Sequence, residues 1–341
     1  MSRPLLLFPH PEPSRVRPRI HPVFLPFAGC PHRCLFCDQP SQTGVGVRPL
    51  AVIHDELAAM LSRLFLTHAP PREIGFYGGT FTSLPAPWPK RFLELATQYK
   101  DKGLITKVRC STRPDAVTSR GLEQLKGLGL DMVELGIQSF NDEALAQSGR
   151  GYTGRTAHWG CTIVRQAGLK LAIQLLPGLP GDAPGTFARD IEITTKIKPD
   201  AARLYPCMVL DGTPLAETWK SGDYTPWSLE RTRQELAVGL GALWRAGIQV
   251  IRIGLAPEPG LDKRILAGPH HPSLGQMVRS LALFDHILLM AAGLGRTPVE
   301  LRYPERYSGE ISGHNAELEP AFARLGIELR TSWKYGQFLL R

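Results

Sequence analysis

The sequence predicts an α/β fold. Parallel βαβ units occupy residues 20–255, a small α+β extension spans 256–341, and residues 1–19 form an N-terminal extension. Three observations carry this. Short apolar runs alternate with amphipathic stretches at the spacing of strand-then-helix repeats. The alternation stops at the breaker cluster Ala256-Pro257-Glu258-Pro259-Gly260. With 341 residues and 43% hydrophobic content, the chain can bury one large core with an appendage.

In chain order, the expected strands are residues 23–27, 74–77, 107–111, 132–137, 171–175, 202–205 and 249–253. Between them lie amphipathic segments at 50–66, 88–99, 119–127, 141–148, 153–167, 186–197 and 228–246, read as helices. Helical stretches at 274–291 and 316–325 follow, then strand-like runs at 328–331 and 336–340. This last segment is marginal as an independent core, so it is read as a cover on the barrel. Parallel α/β folds place their sites where the carboxyl ends of strands open into loops.

The loop after the first strand reads Gly29-Cys30-Pro31-His32-Arg33-Cys34-Leu35-Phe36-Cys37, a C-x3-C-x2-C spacing. Iron–sulfur clusters are normally held by four thiolates. Cys30, Cys34 and Cys37 can ligate three irons of a cubane and leave the fourth open, as catalytic metal sites keep one position free. Zinc is the alternative, but zinc sites usually add a second Cys or His pair. Here the next cysteine is Cys110, and His32 is cramped inside the loop. A disulfide framework suits neither the length nor the six cysteines, and no secretory leader opens the chain. Phe36 can cover the cluster and meet a flat cofactor ring, or simply anchor the loop. Cys110, Cys161 and Cys207 read as small buried apolar residues.

Later loops carry further candidates. Gly78-Gly79-Thr80 ends the second strand, where glycines let backbone groups approach a ligand closely. The third strand ends at Cys110-Ser111-Thr112-Arg113-Pro114-Asp115, whose hydroxyls can face a cofactor or cap a helix. On the fourth strand, alternation puts Glu134, Gly136 and Gln138 on one face. Polar side chains inside a barrel are costly unless hydrogen-bonded, which marks Glu134 and Gln138. Arg150 can clamp a carboxylate bidentately or lie exposed. Gln174 precedes an irregular loop rich in Pro and Gly, and backbone near Tyr205 can pair with an adenine edge. His270 and His314 sit in shaped loops of the extension, and each reads as structural or as a group reaching the site.

A formal charge of +9 favours a polyanionic partner or a basic cleft. The arginines are scattered apart from Arg15, Arg17 and Arg19. No apolar run reaches 18 residues, so no membrane span is expected. Six thiols without a secretory leader suggest a reducing cytoplasm. The start, Met1-Ser2-Arg3-Pro4, is neither a signal nor a clear transit peptide.

Taken in order, these motifs resemble the radical S-adenosylmethionine (SAM) superfamily. They are Cys30/Cys34/Cys37 with Phe36, Gly78-Gly79-Thr80, Thr112-Arg113-Pro114-Asp115, Glu134 to Ser139, Arg150-Gly151 and Pro177-Gly178-Leu179-Pro180. Within it the chain is most similar to the Elongator protein 3 branch, through residues 78–85, Leu204-Tyr205-Pro206 and Gly212 to Tyr224. Oxygen-independent coproporphyrinogen oxidases are a more distant likeness. The resemblance implies a partial (βα)6 TIM-like barrel holding a [4Fe-4S] cluster whose open iron is chelated by SAM. Reductive cleavage of SAM would then give a 5′-deoxyadenosyl radical for hydrogen abstraction.

Carried over by position, Gly78, Gly79 and Thr80 would meet the SAM amino group. Ser111 or Thr112, Gln138, Arg150 and Gln174 would line its methionine and ribose, and Tyr205 its adenine. An electron donor such as ferredoxin or flavodoxin is implied. The substrate is a tRNA base or a small metabolite, and a non-catalytic iron–sulfur or zinc RNA-binding protein is the alternative. Relatives in the Elongator branch carry an acetyltransferase domain after the radical domain. Residues 256–341 show no Arg/Gln-x-x-Gly-x-Gly/Ala loop, so no acetyl transfer is expected. The first two cysteines are also closer together here than in that branch.

Overall fold

The computed structural model describes residues 5–13, 19–256, 258–295, 297–331 and 336–341. Arg15, Arg17 and the first four residues lie outside the described residues. In chain order the elements are β1 (Leu6–Phe8), β2 (Ile20–Leu25), α1 (Gln39–Thr43), α2 (Leu50–Leu66), β3 (Arg72–Gly78) and α3 (Trp88–Asp101). Then come β4 (Ile105–Thr112), α4 (Ser119–Gly127), β5 (Met132–Gln138), α5 (Asp142–Gln147), α6 (Gly154–Gln166), β6 (Lys170–Leu175) and α7 (Thr186–Ile197). Next are β7 (Ala201–Leu204), β8 (Val209–Leu210), α8 (Pro214–Lys220), α9 (Leu229–Arg245), β9 (Gln249–Ile253), β10 (Ile265–Ala267) and α10 (Leu274–Ala292). The chain ends with β11 (Glu300–Tyr303), α11 (Ser308–Ser312), α12 (Glu319–Arg324), β12 (Glu328–Thr331) and β13 (Phe338–Leu340).

The main sheet has the order β2-β3-β4-β5-β6-β7-β9, every pairing parallel. It is a curled half-barrel with helices on its outer face. The expected partial barrel is present, and β9 carries it one strand past six. Its inner strands are buried on both faces, as parallel sheets require. The helices bury one stripe each: α2 turns Ile53, Leu57 and Leu61 inward at four-residue spacing. Side-chain caps start them where the sequence puts Ser, Thr or Asn, with Thr118, Asn141, Thr153, Thr213 and Ser228 each accepting a backbone N–H.

The second layer is a small sheet ordered β1-β13-β11-β12, with its own apolar cluster around Phe322, Phe338 and Leu301. Residues Leu6–Phe8 thus pair antiparallel with Phe338–Leu340. The expected helix at 316–325 is shorter, because Asn315 and Ala316 adopt positive φ and break it. Helix α10 is long and apolar enough to cross a membrane by length and composition. It is a core helix here: Leu274, Met277, Val278, Leu283 and Ile287 are buried, and Arg279 pairs with Glu12 and Glu310.

Candidate active site

The cysteine loop lies between β2 and α1, at the carboxyl end of the sheet. Its path is set by tight turns in which Cys30 N donates to Phe27 O and Cys37 N to Cys34 O. Gly29, at φ +73°, lies so close to Thr80 O that a Cβ would come within 2.4 Å of it. Gln39 then stitches the loop to the second strand. Its Oε1 accepts from Phe27 N at 2.5 Å, and its Nε2 donates to Gly78 O at 2.9 Å. From the other side, Leu35 N donates to Ser148 O and Leu215 N to Leu35 O.

Cys30, Cys34 and Cys37 all line one cavity of about 520 Å³. Cys30 Sγ is 3.3 Å from Thr80 Oγ1. Arg150 Nη1 donates to Cys34 Sγ at 3.1 Å, and Arg113 Nη1 stands 4.0 Å from it. Burial, then the neighbouring Cys34 and Cys30, pushes the Cys37 thiol up to about 12. Three crowded thiols with cationic donors beside them form a donor set suited to a soft metal cluster. Among the described residues no three His, Cys, Asp or Glu side chains converge on one point, as a single ion would need. A cubane asks for something else, since each thiolate takes a different iron and the three sulfurs ring the cluster instead of meeting at one ion.

The same cavity is lined by Phe36, Gly78, Gly79, Thr80, Ser111, Thr112, Gln138, Arg150, Gln174 and Tyr205. The structure therefore brings every expected cofactor-lining residue to one place. Gly79 is packed so tightly that a Cβ would lie 1.9 Å from Ala28 O. Thr112 Oγ1 is held by Thr82 Oγ1 at 2.6 Å. Gln138 sits at a bulge in the β5–β6 pairing, with φ +68°. Its Oε1 is buried without a hydrogen-bond partner. An orphaned amide oxygen at a cavity wall is what a polar ligand would satisfy.

Glu134 lies beneath this cavity, in a buried ion network. Arg203 Nε donates to its Oε2 at 2.7 Å, Arg109 Nη1 to its Oε1 at 3.2 Å, and Tyr77 Oη at 3.0 Å. Burial pushes the carboxyl up, but Arg203 and Arg109 outweigh it and hold the group below its usual range. Arg109 also pairs with Glu73, which Lys107 reaches at 3.0 Å. The two histidines lie away from the cavity wall: His270 Nε2 is 2.8 Å from Asp262 Oδ1, and His314 packs edge-on against His271.

Several residues of the site escape sequence reading. Gln39 offers no motif. Arg203 and Arg109 stand within strands, where the cost of a buried charge is the signal that also marks Glu134. Tyr152 Oη, donating to Gly136 O at 2.8 Å and bonded to Arg150, carries no signal at all.

Fold and site together define an enzyme class: a parallel half-barrel with three thiols and a glycine strand end around one cavity. Residues 24–192 match the radical SAM superfamily model, and residues 199–282 match the radical SAM C-terminal domain. The chain belongs to the radical SAM superfamily. A tRNA uridine(34) acetyltransferase of Methanocaldococcus infernus is 28% identical over 242 residues, 60% of this chain and 45% of that protein. Elongator complex protein 3 of Homo sapiens is 30% identical over 175 residues, 44% of this chain and 31% of that protein. The chain spans about half, or less, of the length of these curated relatives. Among solved structures, archaeal Methanocaldococcus infernus Elp3 with an N-terminal deletion superimposes at TM-score 0.60 and 21% identity, covering 82% of this chain and 64% of that one. The [FeFe]-hydrogenase maturase HydG gives 0.52 at 11% identity, covering 91% and 69%. Both likenesses bear on the fold.

Proposed function

We propose that this enzyme binds a [4Fe-4S] cluster through Cys30, Cys34 and Cys37 and cleaves SAM reductively to act on a tRNA base. The single observation that carries the reading is the shared cavity, lined by three thiols, a glycine strand end and Gln138, whose buried amide oxygen has no partner. When bound, the cluster supplies the electron that splits SAM into methionine and a 5′-deoxyadenosyl radical. The chain's own groups do the rest. Arg150 and Arg113 place positive charge beside the Cys34 sulfur and fix its position for a cluster. Thr80 and the Gly78-Gly79 backbone offer donors and acceptors to the SAM amino-acid end, and Gln138 and Gln174 its polar partners. Phe36 and Tyr205 wall the cavity against water, and Glu134 holds Arg203 in place beneath them.

Residues 20–255 are read as the radical SAM core and 256–341 as its cover. The tRNA base rests on the Elongator-type relatives and on the charge of +9. A ferredoxin- or flavodoxin-type electron donor and a cytoplasmic setting go with this reading. Anaerobic reconstitution tests it: about four irons per chain are expected, with 5′-deoxyadenosine formed after dithionite and SAM. Zinc alone, with no cleavage after reconstitution, would overturn it. Binding to bulk tRNA should weaken steeply with salt; undetectable binding at moderate salt would instead favour a small metabolite.

A further inference from the structure

The β7–β9 pairing sets Arg203 directly opposite Arg252. Both side chains line the cavity. Like charges facing each other across a strand pair are destabilising, so each needs a counter-charge. Arg203 has one, since Glu134 takes it at 2.7 Å and the Tyr77 and Tyr205 hydroxyls lie 3.0 Å from it. Arg252 has none among the described residues. Its only hydrogen bond there runs from Nε to Gly254 O at 3.2 Å, leaving both terminal nitrogens of the guanidinium free. Glu134 cannot serve it as well, because Arg203, Arg109 and Tyr77 already share that carboxylate.

The other cavity arginines are engaged. Arg150 is held by Cys34, Gly136 O and Tyr152, and Arg113 by Asp115 and Arg150 O. Arg33 lies over the Phe27 ring at 4.1 Å. Among the described residues Arg252 is thus the cavity arginine with neither a carboxylate nor a ring beside it. It stands on the last strand of the sheet, whereas the cysteine loop follows the first.

Resting on the reading above, we propose that Arg252, with Arg203 behind it, recognises an anionic oxygen group on the substrate, a carboxylate or a phosphate. The two free terminal N–H groups match the two oxygens of such a group in a planar fork. A bound anion would relieve the Arg203–Arg252 repulsion and hold the substrate on the cavity wall formed by β7 and β9. The fold then selects for substrates that carry negative charge near the reacting carbon, and against neutral ones.

The test is protection of Arg252 from an arginine-specific dicarbonyl reagent, read residue by residue by peptide mass spectrometry at constant ionic strength. The full chain is used, reconstituted and also metal-free, so that failure of SAM chemistry leaves this readout intact. Inorganic phosphate and succinate are the probes, uridine the neutral control, and Arg48, paired with Glu56 on the surface, the internal reference. Severalfold slower labelling of Arg252 with either anion, and none with uridine, is expected, and which anion protects tells phosphate from carboxylate. Equal labelling with and without both anions would overturn the proposal. So would protection by uridine as strong as that by the anions.

Discussion

Arg150 donates to Cys34 Sγ at 3.1 Å while the same guanidinium donates to Gly136 O at 2.7 Å and reaches Tyr152 Oη at 2.8 Å. One side chain so ties the cysteine loop to the fourth strand of the half-barrel. The guanidinium reaches these acceptors from two separate nitrogens of a rigid plane, whereas an ammonium has its three donors on one nitrogen and cannot span them. Arg150→Lys is therefore expected to cost about 1–3 kcal/mol of stability in urea, and to weaken SAM binding in equilibrium dialysis. An unchanged urea midpoint would show that the tie contributes nothing. Cys34→Ala should hold less iron than the wild-type chain and form no 5′-deoxyadenosine; full activity would end the cluster assignment.

The two glycine contacts make a sharper steric prediction. Gly79 leaves no room for a methyl group against Ala28 O, whereas a Cβ on Gly127 of α4 would meet nothing within 4 Å. Gly79→Ala must push the cysteine loop off the strand end and should destabilise by about 1–3 kcal/mol, the usual cost of overpacking. Gly127→Ala should be neutral or stabilising by up to about 1 kcal/mol. Thermal melts of the two variants, compared with SAM binding, check this. A Gly79→Ala chain that binds SAM normally would mean the loop–strand contact can relax without harm.

The half-barrel is legible in the sequence because each of its strands is an apolar run closed by a helix with a clear polar face. The ends of α2, α4 and α7 even coincide with the expected 50–66, 119–127 and 186–197. The residues gathered at the cavity are legible because loops after parallel strands converge by topology alone. Shorter pieces are not. β1, β8, β10 and β11 have two to four residues, too few to show a period of two. β1 finds its partner β13 from the far end of the chain, a pairing no local pattern encodes. Gln39 is silent for another reason: its value lies in bridging Phe27 and Gly78, and nothing in a lone glutamine announces a bridge.

Glu134 is expected to act through Arg203 and Arg109 rather than as a proton carrier, because its carboxylate is saturated with donors. Its folded state favours the ionised form, so its stabilisation is present above the usual carboxylate range and is lost only as pH falls through its depressed value. Glu134→Gln keeps the shape but leaves the buried Arg203 without its carboxylate and Arg109 with Glu73 alone. A loss of about 3–5 kcal/mol follows from breaking such a pair at one end. Urea denaturation at neutral pH measures it. If the variant were as stable as wild type but lost turnover with an altered pH–rate profile, Glu134 would be the proton carrier after all.

Asp190 on α7 makes the opposite prediction for pH. Burial raises its carboxyl from the ordinary 3.8 to about 7, although Phe140 N and Ser139 Oγ donate to it at 2.8 and 2.7 Å. The folded chain then keeps a proton that the unfolded chain gives up, so stability falls as pH rises from about 4 to about 7 and levels off above that. One pH unit of displacement is worth about 1.4 kcal/mol, which puts the full effect at a few kcal/mol. His21 and His286, both lowered by burial, pull the other way as pH falls below their ordinary 6.5, inside this window. The clean measurement is therefore the difference between wild type and Asp190→Asn, since both carry the same histidines. Asparagine can still accept from Phe140 N and has no charge to bury. The variant should gain on wild type steadily in urea midpoint between pH 5 and pH 7. A difference that does not change with pH would mean Asp190 is ionised in the folded chain throughout.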